Sequence, residues 1–129
     1  MIIDSSAIVS ILLEEDGHEA LLERLSGSLE LKIGAPTVAE TGIVLAARLG
    51  QIGKTLLARF LYEAGVEVVP LTEAHWGVAV EAFERFGKGR HPAGLNFGDC
   101  LTYAMSSASG EPLLFVGNDF PKTDLSLVD

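Results

Sequence analysis

Short apolar runs alternate with stretches of helical period along the whole chain, and few folds accept that order. Met1–Asp4 reads as a short buried strand. Ser5–Glu15 follows as a helix with Ala7, Ile8, Ile11 and Leu12 on one face, and Ser5 or Ser6 suits its N-cap. Asp16-Gly17 breaks it, and Glu19–Leu25 forms a second helix. Leu31–Ile33 is a short strand. Pro36 suits the first turn of a helix that runs to about Leu49, where Gly50 stops it. Thr55–Ala64 is a further helix, closed by Gly65, and Val66–Pro70 is a valine-rich strand. Thr72 suits the N-cap of a helix bearing His75, Ala79, Ala82, Phe83 and Phe86. A full capping box there wants Glu or Gln where His75 stands. Gly87–Asn96 is a loop, Phe97–Ser107 a helix, Pro112–Val116 a buried strand and Leu125–Val128 a last edge strand. Strand alternating with helix predicts an α/β domain, a parallel sheet layered with helices. No repeat, linker or low-complexity tract divides residues 1–129, so one domain is expected.

Four acids stand at the punctuation points of this pattern. Asp4 ends the first apolar run, and Asp119 follows Leu113–Val116 across Gly117-Asn118. In a parallel sheet both leave on the carboxyl edge, where α/β sheets gather their site residues. Glu40 lies about one turn into its helix, so its side chain can return toward the helix start. Asp99 lies in the first turn after Asn96-Phe97-Gly98, where the helix dipole favours an acid. Taken singly, each has an ordinary reading as a cap, a turn residue or a surface charge. Taken together, they are costly. Two ionised carboxylates about 5 Å apart repel by roughly 3 kcal/mol at an effective dielectric near 20. Convergence therefore calls for a cation or for proton uptake, and oxygen-only ligands suit Mg²⁺ or Mn²⁺. Such a site can hydrolyse a phosphodiester.

The net charge of −9 argues by itself against non-specific nucleic-acid binding. Bound cations would cancel part of it, and Arg85, Lys88, Arg90 and His91 form a local basic cluster. Apolar residues make up 48% of the chain, enough for a globular core. No apolar run approaches the roughly 18 residues of a membrane span, and Asp4 interrupts the apolar start, which speaks against a signal peptide. A single cysteine, Cys100, allows no internal disulfide and fits a reducing cytoplasm.

The words around the acids carry more than their spacing. Met1-Ile2-Ile3-Asp4-Ser5-Ser6-Ala7, Ala39-Glu40-Thr41, the stretch from Gly87 through Cys100, and Leu113-Leu114-Phe115-Val116-Gly117-Asn118-Asp119-Phe120 come in that order. Over essentially the whole chain this order resembles PIN-domain ribonucleases, most closely the VapC toxins of prokaryotic toxin–antitoxin pairs. The resemblance implies a PIN-like fold with a central parallel sheet and Mg²⁺- or Mn²⁺-dependent cleavage of RNA. It implies Asp4 and Asp99 as metal ligands, Glu40 completing the site or positioning a water, and Asp119 binding metal directly or through water. Ser6 would support Asp4, and Asn96 and Asn118 would flank the acids. The family also implies a homodimer and a VapB-like antitoxin whose C-terminal segment obstructs the site.

Lys88, Arg90 and His91 lie just before Asn96–Asp99 and are candidates to contact RNA phosphates, against a plain solvated turn. His75 reads as helix packing or surface, His18 as an exposed helix start, and Cys100 as a small buried hydrophobe. Trp76, Phe83 and Phe86 at helical spacing suit core or dimer surface rather than base stacking. Leu56, Leu57, Phe60 and Leu61, with Tyr62 nearby, suit either core or an interface. Two other functions compete: an inactive PIN-like binding module, and a phosphoryl-transfer or receiver-type domain. The latter wants paired acids in the first motif and a late lysine, for which Lys122 alone is near.

Overall fold

The computed structural model describes residues 1–28 and 30–129. Its order is β1 (Ile2–Ile3), α1 (Ser5–Leu12), α2 (His18–Ser26), β2 (Leu31–Gly34), α3 (Ala35–Leu49), α4 (Gln51–Glu63), β3 (Val66–Val69), α5 (Glu73–Phe86), α6 (Phe97–Ser109) and β4 (Leu113–Leu114). A short 3₁₀ turn covers Phe120–Lys122. The four strands form one parallel sheet in the order β3-β2-β1-β4. The expected α/β layering is thus present.

Side-chain alternation across the strands builds the layers. Ile2 and Leu113 face a core made with Ala79, Ala82, Phe86, Tyr103 and Met105 of α5 and α6. Ile3, Ile33 and Leu114 face the opposite core, with Ala7, Ile8, Leu21, Leu45 and Leu57 of the first four helices. Helices pack on both faces of β1 and β4, which is why Ile2-Ile3 and Leu113-Leu114 are apolar on both sides.

Several boundaries differ from the sequence expectations, each for a local reason. The cap of α1 is Asp4, not Ser5 or Ser6. Helix α4 begins at Gln51 rather than near Thr55, because Gly50, at φ +68°, turns the chain in one residue. The capping box of α5 forms with histidine in place of an acid or amide: Thr72 N–H donates to His75 Nδ1 at 3.0 Å. Thr72 Oγ1 accepts from Ala74 N–H at 3.3 Å. His18 is half-buried at the start of α2, its Nδ1 2.9 Å from the Glu15 carbonyl. The last expected strand is reduced to one parallel bridge, Leu113 to Leu127, beside β4.

Leu57 is buried, and Phe60 and Leu61 pack on the core, so the α4 stripe is core. Tyr62 alone of that group stands out, 88% exposed. The aromatic set on α5 divides: Phe86 is buried, while Trp76 and Phe83 are exposed. No helix among the described residues is long and apolar enough to cross a membrane.

Candidate active site

The strand order places a crevice at the middle of the sheet. From β1 the chain winds outward through β2 to β3, then returns to β4 on the other side of β1. Adjacent connections leaving in opposite directions open a gap at the strands' carboxyl ends, the usual ligand position in open α/β sheets. Asp4 stands at the end of β1, and Asp119 lies beyond the end of β4.

Asp4 is 4% exposed and tightly held. Its Oδ2 accepts the Ser6 backbone N–H at 3.1 Å and the Ser6 hydroxyl at 2.5 Å. The Ser6 Oγ in turn accepts the Val116 N–H at 2.9 Å. Ser6 therefore ties the acid after β1 to the segment leaving β4.

Asp99 forms a reciprocal capping box with Asn96. The Asn96 N–H donates to Asp99 Oδ2 at 3.0 Å, and the Asp99 N–H donates to Asn96 Oδ1 at 2.9 Å. Despite that bond, the Asp99 carboxyl is pushed up to about 6, first by burial and then by the charges of Asp4, Asp119 and Glu40. Glu40 is raised as well, first by burial and then by Asp4, while the Ser5 hydroxyl works against the shift. The four acids therefore share one electrostatic neighbourhood.

Two buried contacts fix the helices that carry Glu40 and Asp99. Thr37 Oγ1 and Thr102 Oγ1 lie 3.2 Å apart, joining α3 to α6 three residues from each acid. The Thr41 hydroxyl donates to the Thr37 carbonyl at 2.7 Å. Sequence reasoning passed over this pair, because threonine at a helix position carries no distinctive spacing signal. It also passed over Gly98, although a glycine inside a helix's first turn invites a packing explanation.

The acids are neighbours without being a ready-made cage. Among the described residues, no three His, Cys, Asp or Glu side chains stand in joint reach of one ion. Asp4 and Asp99 each engage Oδ2 in a backbone hydrogen bond, and like charges repel. The donor set nevertheless fits a hard cation. It is all oxygen, and burial first, then neighbouring carboxylates, raises Asp99 and Glu40 toward protonation.

Lys88 and Arg90 are exposed on the loop between α5 and α6, with Arg90 over the Phe83 ring. His91 is half-buried; its Nδ1 accepts the Ala93 N–H at 3.0 Å and its ring meets Phe86 edge-on. Arg85, from the same basic cluster, is engaged by Asp124 at 3.2 Å. Asn118 and Asp119 are exposed on the loop after β4. Cys100 is buried, and burial raises its thiol, as a small hydrophobe beside Asp99 should behave.

The PIN domain pattern matches residues 1–125, both strand-end acids included. The chain belongs to the PIN-domain family. Ribonuclease VapC36 of Mycobacterium tuberculosis is 48% identical to this PIN domain over 126 residues, 97% of this chain and 91% of its own. Ribonuclease VapC of Mycolicibacterium smegmatis is 40% identical over 128 residues, 99% of each chain. At that identity and coverage the PIN domain groups with the VapC ribonucleases. In fold it is similar to the crystal structure of M. tuberculosis VapC20, described as a sarcin-ricin loop cleaving toxin, with a TM-score of 0.79 at 17% identity. That match covers 98% of this chain and 97% of the other. The PIN fold also matches FitAcB of Neisseria gonorrhoeae, with a TM-score of 0.70, covering 99% and 96%.

Proposed function

We propose that the chain is an RNA endonuclease of the VapC toxin class, a single PIN domain over residues 1–129, acting in the cytoplasm. The observation that carries this reading is the shared field of Asp4, Glu40, Asp99 and Asp119 at the β1–β4 crevice. VapC-type PIN nucleases are in general divalent-metal dependent. Here Mg²⁺ or Mn²⁺ is the ion we assign. Mg²⁺ keeps several waters and binds through one or two carboxylates, which suits acids that are near one another but not closed into a cage. Bound there, the cation would polarise the phosphodiester and stabilise the leaving oxygen.

The side chains divide the remaining work. Asp4, fixed by Ser6 through Oδ2, offers Oδ1 as a ligand, and Asp99 does the same from its capping box. Glu40, with its carboxyl raised toward neutrality, is suited to accept the proton of the attacking water. Asp119, exposed at the rim, acts directly or through a water. Asn96 holds Asp99, and Asn118 flanks Asp119. Lys88, Arg90 and His91, on the loop that leads into α6, would meet the RNA backbone. A cognate VapB-like antitoxin and a second copy of the chain are the expected partners, with exposed Ile43, Trp76, Val80 and Phe83 as apolar surface for them. A binding-only module would have no use for four mutually repelling carboxylates.

The test is cleavage of RNA by purified protein with Mg²⁺ or Mn²⁺. EDTA and Asp99→Asn should each abolish it. Undiminished cleavage by Asp99→Asn, with contaminating nuclease excluded, would overturn the site.

A further inference from the structure

We propose that Gly98 is a positioning residue for this site: the space left by its missing side chain is where the Glu40 carboxylate lies. The proposal rests on the reading that Glu40 belongs to the site. An ideal Cβ at Gly98 would lie 2.8 Å from Glu40 Cδ and 2.9 Å from Oε1, and closer still to Oε2. Real Cβ atoms essentially never show such contacts, so with any side chain at 98 the carboxylate must shift from this place.

Nothing else at this position asks for glycine. Gly98 is the second residue of α6 and has no positive φ. Alanine is the better helix former there. Helix α6 also cannot simply retreat from α3. The buried Thr37–Thr102 hydrogen bond holds the two together one turn away. The group that yields is therefore Glu40, the free end of a flexible side chain. It has somewhere to go: an open cleft of about 430 Å³ beside it, lined by Ala39, Ile43, Phe97 and Leu101 among others. A methyl at 98 would turn the carboxylate into that apolar cleft and away from Asp99. The fold would survive while the site lost one member. The first-turn position adds a second reason for closeness, since a carboxylate is favoured at a helix N-terminus.

The experiment compares Gly98→Ala, Glu40→Ala, Glu40→Asp and the double variants by thermal midpoint, Mn²⁺ affinity from calorimetry, and RNA cleavage. Gly98→Ala should melt at or above the parent yet bind Mn²⁺ about 10- to 100-fold more weakly, the usual cost of disturbing a group that orients a metal ligand. In the Glu40→Ala background the same change should alter Mn²⁺ affinity by less than about twofold, because no carboxylate remains to displace. With Glu40→Asp, whose shorter side chain clears the methyl, Gly98→Ala should lose less than it does in the parent. Parental Mn²⁺ affinity and cleavage in Gly98→Ala, with Glu40→Ala impaired, would overturn the inference and leave the site reading intact. Equal losses in both backgrounds would overturn it too, by showing that the methyl acts on the helix rather than on Glu40. An unimpaired Glu40→Ala would remove Glu40 from the site, and the inference with it.

Discussion

At the residue scale, the acids do two jobs with two oxygens. Asp4 caps α1, Asp99 closes the capping box of α6 from its third position, and both stand in the acidic neighbourhood. From the sequence, capping and chemistry looked like rival explanations of the same residues. They are compatible because a carboxylate can give Oδ2 to backbone N–H groups and keep Oδ1 for a ligand. This dual use has a measurable electrostatic signature. Asp99's folded pKa, about 6, lies above its value in the unfolded chain. The folded protein then holds more proton between those two values, so stability falls as pH rises through that window and is regained as pH falls. Metal-free Asp99→Asn should therefore melt higher than the parent at about pH 7.5, with the gap closing below about pH 6. A gap that widens on acidification would contradict the assigned cause. Mn²⁺ binding by the parent should weaken over the same range, because the ligand must lose its proton.

At the element scale, the helices that carry Glu40 and Asp99 are registered by a polar contact inside an apolar interface. Thr37 and Thr102 are both buried and share one hydrogen bond. Thr102→Val should cost about 1–3 kcal/mol by leaving the Thr37 hydroxyl without that partner. Thr37→Val with Thr102→Val should cost clearly less than the two single changes summed, as denaturant melts would show. Ser6→Ala removes one hydroxyl that serves two segments. About 1–2 kcal/mol of stability should go with it, together with much of the cleavage activity. These contacts mark the limit of what the sequence disclosed. Helix and strand types were legible nearly throughout, because apolar period and Gly or Pro stops are local signals. The α5 cap was legible as a position and not as a bond, since it required imidazole Nδ1 to act as an acceptor. The Thr37–Thr102 pairing joins residues 65 apart, and no local pattern announces such a contact.

At the scale of the whole molecule, strand order decides where everything meets. Alternating elements foretold a parallel sheet and a shared carboxyl edge, but not that β1 would sit between β2 and β4. The apolar surface left outside the two cores, including Val80 at 51% and Trp76 at 57% exposure, should drive association into a dimer. Sedimentation equilibrium should show that dimer, and Val80→Asp should shift it toward monomer with an unchanged circular dichroism spectrum. The central place of β1 also bears on timing. Ser6, which holds Asp4, is braced by a residue 110 positions later. At about 5–20 residues per second, roughly 5–20 s of synthesis separate the two halves of that brace. Throughout that interval the nascent chain carries its first acid without the strand that completes the crevice. The crevice can therefore close only after nearly all of residues 4–116 have been made.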